Sequence, residues 1–141
     1  MDSTNLVDAL DDARTLAEVE GITREMGDTI AALAEAELEE GRPEIARAIL
    51  EGLVVTNHLD AGAWSLLSRA HRRLEQPLAA RFCAEVAVRL APEDAFARLA
   101  RAETLLVSAS ERAEGRAELR RLAGDPCVSA RASALLAALG G

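Results

Sequence analysis

Residues 61–94 read AGAWSLLSRAHRRLEQPLAARFCAEVAVRLAPED and contain Trp64, the single tryptophan of a 141-residue chain that has no tyrosine. Trp64, Leu67, Ser68 and His71 recur at a spacing that places their side chains on one broad face of an α-helix. A short break and then a proline follow, and proline is favoured at the first turn of a helix. The stretch therefore predicts two consecutive helices joined by a tight connection.

The spacing within this stretch is also that of a 34-residue unit. With Ala61 as position one, it resembles the tetratricopeptide pattern, in which tryptophan, leucine, a small residue and an aromatic residue mark the first helix. His71 replaces the usual tyrosine, which favours a packed imidazole with one polar edge over a catalytic or ligand histidine. The residues that carry the pattern are Trp64, Leu67, Ser68, His71, Ala80, Ala87 and Pro92.

The same pattern recurs 34 residues away on either side. Ala34, Ser68 and Ala102 are small residues at equivalent positions, and Asp60 and Asp94 are equivalent helix caps. A small residue there lets the two helices of a unit approach closely, since a larger one would overpack at a cost of about 1–3 kcal/mol. Alternating apolar runs and hairpin-turn sequences, the usual signals of strands, are missing from the sequence. The chain is therefore predicted to be all-α.

The predicted architecture is a short right-handed solenoid of about three tandem tetratricopeptide repeats with a C-terminal capping helix. The third repeat matches less well in its second helix, which is expected to start from a Ser110 cap and to end near Ala123. An insertion or slip near 108–110 accounts for the weaker match. The predicted boundaries are 1–22 for an N-terminal helix and 23–139 for the repeat domain, with repeats at about 27–60, 61–94 and 95–128 and the cap at 128–139.

The predicted N-terminal helix has an apolar face that would bury little surface if the helix stood free. It is expected to pack either on the repeats or on a second copy of the chain, as a dimerisation element. The apolar residues of this helix are Leu6, Val7, Leu10 and Leu16.

Composition argues against several classes of function. The net charge is −8, whereas a nucleic-acid-binding surface is basic. The chain has no lysine and two separated histidines, and it lacks a phosphate loop and a zinc-protease motif, so an enzyme is not expected. Cys83 and Cys127 do not have metal-ligand spacing. We expect a cytoplasmic protein with no cofactor, metal, nucleic-acid partner, membrane span or signal peptide.

Three segments resemble a narrower family, the class II chaperones of type III secretion systems: GLVVTNHLDAGAWSLLSRAHRRL (52–74), PLAARFCAEVAVRLAPED (77–94) and ARLARAETLL (97–106). Members of that family bind translocator proteins, and they carry an N-terminal segment that helps to form dimers before three tetratricopeptide repeats. Their Asp-His-aromatic-Asp turn corresponds to 57–60 here, and their Ala-Glu-Cys-Leu-Leu-like stretch corresponds to 102–106. The resemblance implies a cytoplasmic chaperone that holds a secreted cargo in a concave groove.

The first helix of each repeat would line that groove, at positions two, five, nine, twelve and thirteen. Family members carry aromatic residues on the first helix of repeat one, where this chain has Ala31, Glu35 and Leu38. An arginine trio at 69, 72 and 73 suits an extended peptide with apolar anchors and an acidic group, and the alternative is a solvated face offset by nearby acids. The predicted groove residues are Ala31, Glu35, Leu38, Ser65, Arg69, Arg72, Arg73, Phe96, Leu99, Glu103 and Leu106.

Two functions remain open on the sequence. The first is a chaperone of a translocator-like cargo, which would bind one apolar, export-destined client. The second is a tetratricopeptide adaptor or scaffold, which would join soluble partners of a bacterial complex. Both are peptide- or protein-binding modules, and they differ in the nature of the partner.

Overall fold

Seven α-helices and no strand make up the part of the chain that the computed structural model describes, namely residues 15, 16, 18 and 21–140. The all-α prediction is therefore confirmed. Of the predicted N-terminal helix, Leu6, Val7 and Leu10 lie outside the described residues, and Leu16 is exposed. The helices are α1 (Arg24–Glu39), α2 (Pro43–Thr56), α3 (Ala61–Arg73), α4 (Pro77–Leu90), α5 (Ala95–Leu105), α6 (Arg112–Leu122) and α7 (Ser129–Ala138).

Helix starts alternate between two local devices. Helices α3 and α5 begin after Asp60 and Asp94, whose carboxylates each accept a backbone N–H three residues ahead at 3.0 Å. These bonds satisfy donors that the first turn of a helix leaves unpaired. Helices α2 and α4 instead begin with Pro43 and Pro77, whose missing N–H costs nothing at that position. The capping device thus distinguishes the first helix of a pair from the second.

The turns inside the first two pairs share one geometry. The amide of Arg42 donates to the Glu37 carbonyl at 2.8 Å, and 34 residues later the amide of Gln76 donates to the His71 carbonyl at 2.9 Å. Both bonds close a helix end through a residue in the left-handed region. Gly41 occupies that conformation in the first pair (φ 78°), whereas Glu75 occupies it in the second (φ 57°).

Successive helices pack against one another, and α3 also packs against α1 and α5. The first helices of the pairs therefore form one layer and the second helices another, which is the arrangement of a helical-repeat solenoid. Helix α7 packs on α6 and buries Ala132 there, with three leucines half-buried beside it. It covers the apolar face at the C-terminal end of the layer.

Small residues stand where the paired helices come closest. Ala34, Ser68 and Ala102 are fully buried, as are Ala46 and Ala80 on the opposing helices. The Ser68 hydroxyl also donates to the Ala80 carbonyl at 2.8 Å, so the serine in place of glycine has a partner. Close packing at these positions is what the 34-residue spacing of small side chains predicts.

The third pair contains one extra residue. Pro43 and Pro77 begin their helices 34 residues apart, whereas Pro77 and Arg112 are 35 apart. The prediction that Ser110 caps α6 is wrong, because Glu111 is the N-cap residue and Ser110 instead shares a 3.0 Å hydroxyl contact with Ser108. The longer connection moves the start of the helix past Ser110.

Gly115 takes the close-packing role in this pair. A Cβ atom there would lie 3.1 Å from the Ala102 carbonyl oxygen and 3.0 Å from Leu106 Cδ2. The strict repeat spacing points to Glu114, and the extra residue brings Gly115 to the contact instead. The weak match of the third repeat is thus a one-residue shift of the small side chain.

The aromatic residue and the histidine that mark the pattern are both half-buried. The Trp64 indole packs against the core, donates to the His58 carbonyl at 2.9 Å and meets the edge of Phe82 at a centroid distance of 6.1 Å. His71 Nδ1 lies 2.7 Å from Gln76 Oε1. Each therefore has an apolar body in the fold and a polar edge that is hydrogen-bonded. The other pattern residues, Leu67 and Ala87, are buried, and Pro92 is exposed.

Candidate functional site

A concave cavity of about 1390 Å³ runs along the layer of first helices. It is bounded by α1, α3 and α5, by the start of α7 and by Thr15, Glu18 and Ile22 ahead of α1. The layer forms a cavity because each first helix presents the same face, one helix after another.

Ten of the eleven predicted groove residues line this cavity: Ala31, Glu35, Leu38, Ser65, Arg69, Arg72, Arg73, Phe96, Leu99 and Glu103. They differ in what they offer to a ligand. Leu38, Ser65 and Leu99 are buried and form the floor, whereas Glu35, Arg73 and Phe96 are exposed. The exposed members decide what could be bound.

Leu106 is the exception, and its placement in the groove was a wrong prediction. Helix α5 ends at Leu105, and the Leu106 side chain packs into the second core cluster, against Gly115 of α6. The glycine leaves a space that the leucine fills. Leu106 therefore stabilises the third helix pair.

A buried carboxylate joins three helices across the cavity. Glu103 on α5 is only 3% exposed, and it pairs with Arg72 on α3 and with Arg131 on α7, where Nε and Oε1 are 3.1 Å apart. A buried charge requires partners of this kind, because an unpaired one is costly in a medium of low polarity. The three side chains therefore form a clamp, which we call the Glu103 clamp.

The sequence prediction missed Arg131. The residue lies in the predicted capping helix, beyond the three repeats to which the groove positions were assigned. With the extra residue of the third pair counted, Arg131 is the equivalent of Phe96, so the signal lay in the repeat spacing once that shift is known.

Positive charge accumulates around the Glu103 clamp. Burial lowers the pKa of Arg72 to about 10, and repulsion from Arg131 and Arg69 lowers it further in the same direction. Arg72 is still protonated at neutral pH, so the guanidinium groups of all three stay charged. Arg69 is compensated loosely, since its Nη1 lies 3.6 Å from Glu35 Oε1 and both side chains are about half exposed.

A second ion-pair network joins α4, α5 and α6 and includes no residue that lines the cavity. Arg81 makes two bonds to Glu111 at 3.0 and 3.1 Å, and Arg101 bridges Glu85 and Glu114. The hydrogen bond from Arg81 lowers the pKa of Glu111. These pairs tie the second and third helix pairs together, and their role is accounted for by the fold.

Chemistry that would need a metal or a thiolate has little to work with in the described part of the chain. It contains no group of three or more histidine, cysteine, aspartate or glutamate side chains suited to a metal ion. Burial raises the pKa of Cys83 to about 11, which keeps this thiol protonated. None of the helices in the described ranges is long and apolar enough to cross a membrane.

The fold and the cavity define a tetratricopeptide-like helical-repeat protein whose concave face is open to a ligand. No protein-family model matches the sequence, and no curated protein matches it. Solved structures do match the fold.

The chain is similar to the type III secretion translocator chaperone SycD of Yersinia enterocolitica, with a TM-score of 0.72 and 22% identity over 89% of this chain and 98% of that one. It is similar to a chain in a type III secretion system complex from Aeromonas hydrophila, with a TM-score of 0.77 and 19% identity over 98% and 96%. A structure of SycD in complex with a peptide of the translocator YopD matches with a TM-score of 0.65 and 21% identity over 84% and 95%. The resemblance to translocator chaperones read from the sequence therefore extends to the fold.

Proposed function

We propose that this protein is a non-enzymatic, cytoplasmic chaperone that binds an extended segment of a translocator-like cargo in its concave cavity. The observation that carries the proposal is the cavity of about 1390 Å³ lined by the first helices, on a fold shared with a chaperone solved in complex with a translocator peptide. An extended segment buries alternate side chains in pockets and leaves its backbone accessible. No nucleotide, metal or other cofactor is needed for such binding.

The ligand-contacting surface is proposed to combine apolar anchors with charged rims. Phe96 is 54% exposed and Leu59 is 39% exposed, and both line the cavity. Exposed apolar side chains inside a concave site gain free energy when a ligand covers them, at about 25 cal/mol per Å². A few such anchors can supply the roughly −8 kcal/mol of a micromolar complex.

The proposal is tested by capturing partners with the intact protein from its native host and identifying them by mass spectrometry. The test variant is Phe96→Asp, inside the cavity, and the matched control is Leu78→Asp, which is 86% exposed and outside it. A single dominant partner with membrane-spanning segments, lost in Phe96→Asp and kept in Leu78→Asp, supports the chaperone. Several soluble partners would favour the adaptor, and capture that both variants retain would place binding outside the cavity.

Dimerisation through the N-terminal helix stays a prediction. Sedimentation of the full chain and of a Leu6→Asp, Leu10→Asp variant tests it. A dimer that becomes a monomer in the variant supports the prediction, and a wild-type monomer contradicts it.

A further inference from the structure

We infer that the cavity selects a segment in which an acidic side chain accompanies the apolar anchors, and that Arg69 and Arg73 of α3 receive the acidic group. This inference rests on the proposed peptide-binding function and specifies the class of segment that is bound. It concerns a part of the cavity where the charges of the protein itself do not balance.

The imbalance is visible among the lining residues. Four guanidinium groups, on Arg69, Arg72, Arg73 and Arg131, face this part of the cavity, and only Glu35 and Glu103 oppose them. The chain as a whole carries a net charge of −8, so a local excess of positive charge runs against its composition.

The remaining acidic residues of the lining do not correct this excess. Asp60 and Asp94 accept backbone N–H bonds as helix caps at the opposite end of the first helices. Asp28 lies two turns of α1 before Glu35, which is about 10 Å along the helix axis. Glu18 lies still earlier in the chain, ahead of α1.

The four arginines are not equally available. Arg72 and Arg131 are engaged by the buried Glu103 carboxylate. Arg69 makes one long contact to Glu35 between half-exposed side chains, and such pairs contribute little. Arg73 is exposed and has no ion pair with any residue in the described ranges. Arg69 and Arg73 are one helical turn apart, so a single carboxylate can contact both.

An apolar anchor site accompanies this pair. Phe96, one of three aromatic residues in the chain, lines the same cavity and is more than half exposed. Arginine is the residue best suited to carboxylates, because its planar fork of donors matches the two oxygens. The arrangement therefore favours a segment that carries leucine-like side chains and at least one aspartate or glutamate.

The first experiment selects a random twelve-residue peptide library, displayed on phage, against the intact protein. We expect enriched peptides to carry apolar residues together with an excess of aspartate and glutamate. Enrichment of apolar peptides with no preference for acidic residues overturns this inference and leaves the proposed function standing. If no peptide is enriched over a surface without the protein, the proposed function and this inference both fail.

The second experiment reverses the charges at the site and measures the affinity for a selected acidic peptide by fluorescence anisotropy. The variant Arg69→Glu, Arg73→Glu is expected to bind at least about tenfold more weakly, whereas Arg89→Glu, Arg112→Glu, at exposed positions outside the cavity, stays within about twofold. A peptide with lysine in place of its acidic residues should bind the first variant more tightly than it binds the wild type. Equal losses in both variants would show a general effect of net charge and overturn the assignment.

Discussion

Replacement of Gly115 by alanine tests the close approach of α5 and α6 that the extra residue of the third pair creates. The new Cβ would lie 3.1 Å from the Ala102 carbonyl oxygen, 3.1 Å from Leu105 Cβ and 3.0 Å from Leu106 Cδ2. Two of these three atoms belong to a helix backbone or its first side-chain carbon, so they move only if the whole helix moves. The two helices must therefore separate by a few tenths of an ångström.

The magnitude follows from two opposing effects. Alanine in a helix is favoured over glycine by about 0.5–1 kcal/mol. Overpacking of a tight contact costs about 1–3 kcal/mol. We therefore expect Gly115→Ala to lower the free energy of unfolding by about 1 kcal/mol, against the direction of helix propensity.

Gly52 supplies the matched control, because it lies inside α2 and a Cβ there meets nothing within 4 Å. Gly52→Ala should raise the free energy of unfolding by about 0.5–1 kcal/mol. Urea unfolding followed by circular dichroism at 222 nm measures both variants, and the difference between them isolates the packing cost. If Gly115→Ala stabilises the protein as much as Gly52→Ala does, the close approach of α5 and α6 is refuted.

Three further perturbations follow from the structure. Glu75→Gly should raise the free energy of unfolding by about 1 kcal/mol, since Glu75 is left-handed where the first repeat has Gly41, and Glu75→Ala, which keeps the strain, should not; urea midpoints separate the two. Glu103→Gln should lower the free energy of unfolding by about 2–4 kcal/mol because it leaves Arg72 and Arg131 without their carboxylate, and an unchanged urea midpoint would contradict the clamp. Hydrogen bonds from Arg42 and Arg81 lower the pKa values of Glu37 and Glu111, so the stability they contribute is present above the unfolded pKa of about 4.3 and is lost as the pH falls through the folded values. Urea midpoints at pH 7 and pH 3.5 should therefore differ less in a Glu37→Gln, Glu111→Gln variant than in the wild type, and equal differences would count against these pairs.

Much of the fold can be predicted from the sequence because its signals are local. The carboxylate of Asp60 reaches an amide three residues away, and Pro77 restricts its own backbone. The small residues Ala34, Ser68 and Ala102 recur at the repeat spacing, and each is buried where that spacing places it. Interactions over a few residues, repeated along the chain, are enough to predict the helices and their pairing.

The same periodicity predicts most of the cavity, since residues at equivalent positions of successive first helices share a face. It fails after 108–110, where one extra residue shifts everything that follows. Leu106 then turns toward Gly115 and away from the cavity, and Arg131 of the last helix reaches Glu103.

Which arginine is engaged and which is available is likewise decided in three dimensions. Arg69, Arg72 and Arg73 are indistinguishable as a trio in the sequence, and only the packing of α3, α5 and α7 brings Arg72 to a buried carboxylate. Local sequence specifies which helices form and where they begin. The distances between side chains far apart in the chain, and so the charge left over for a ligand, depend on how those helices pack.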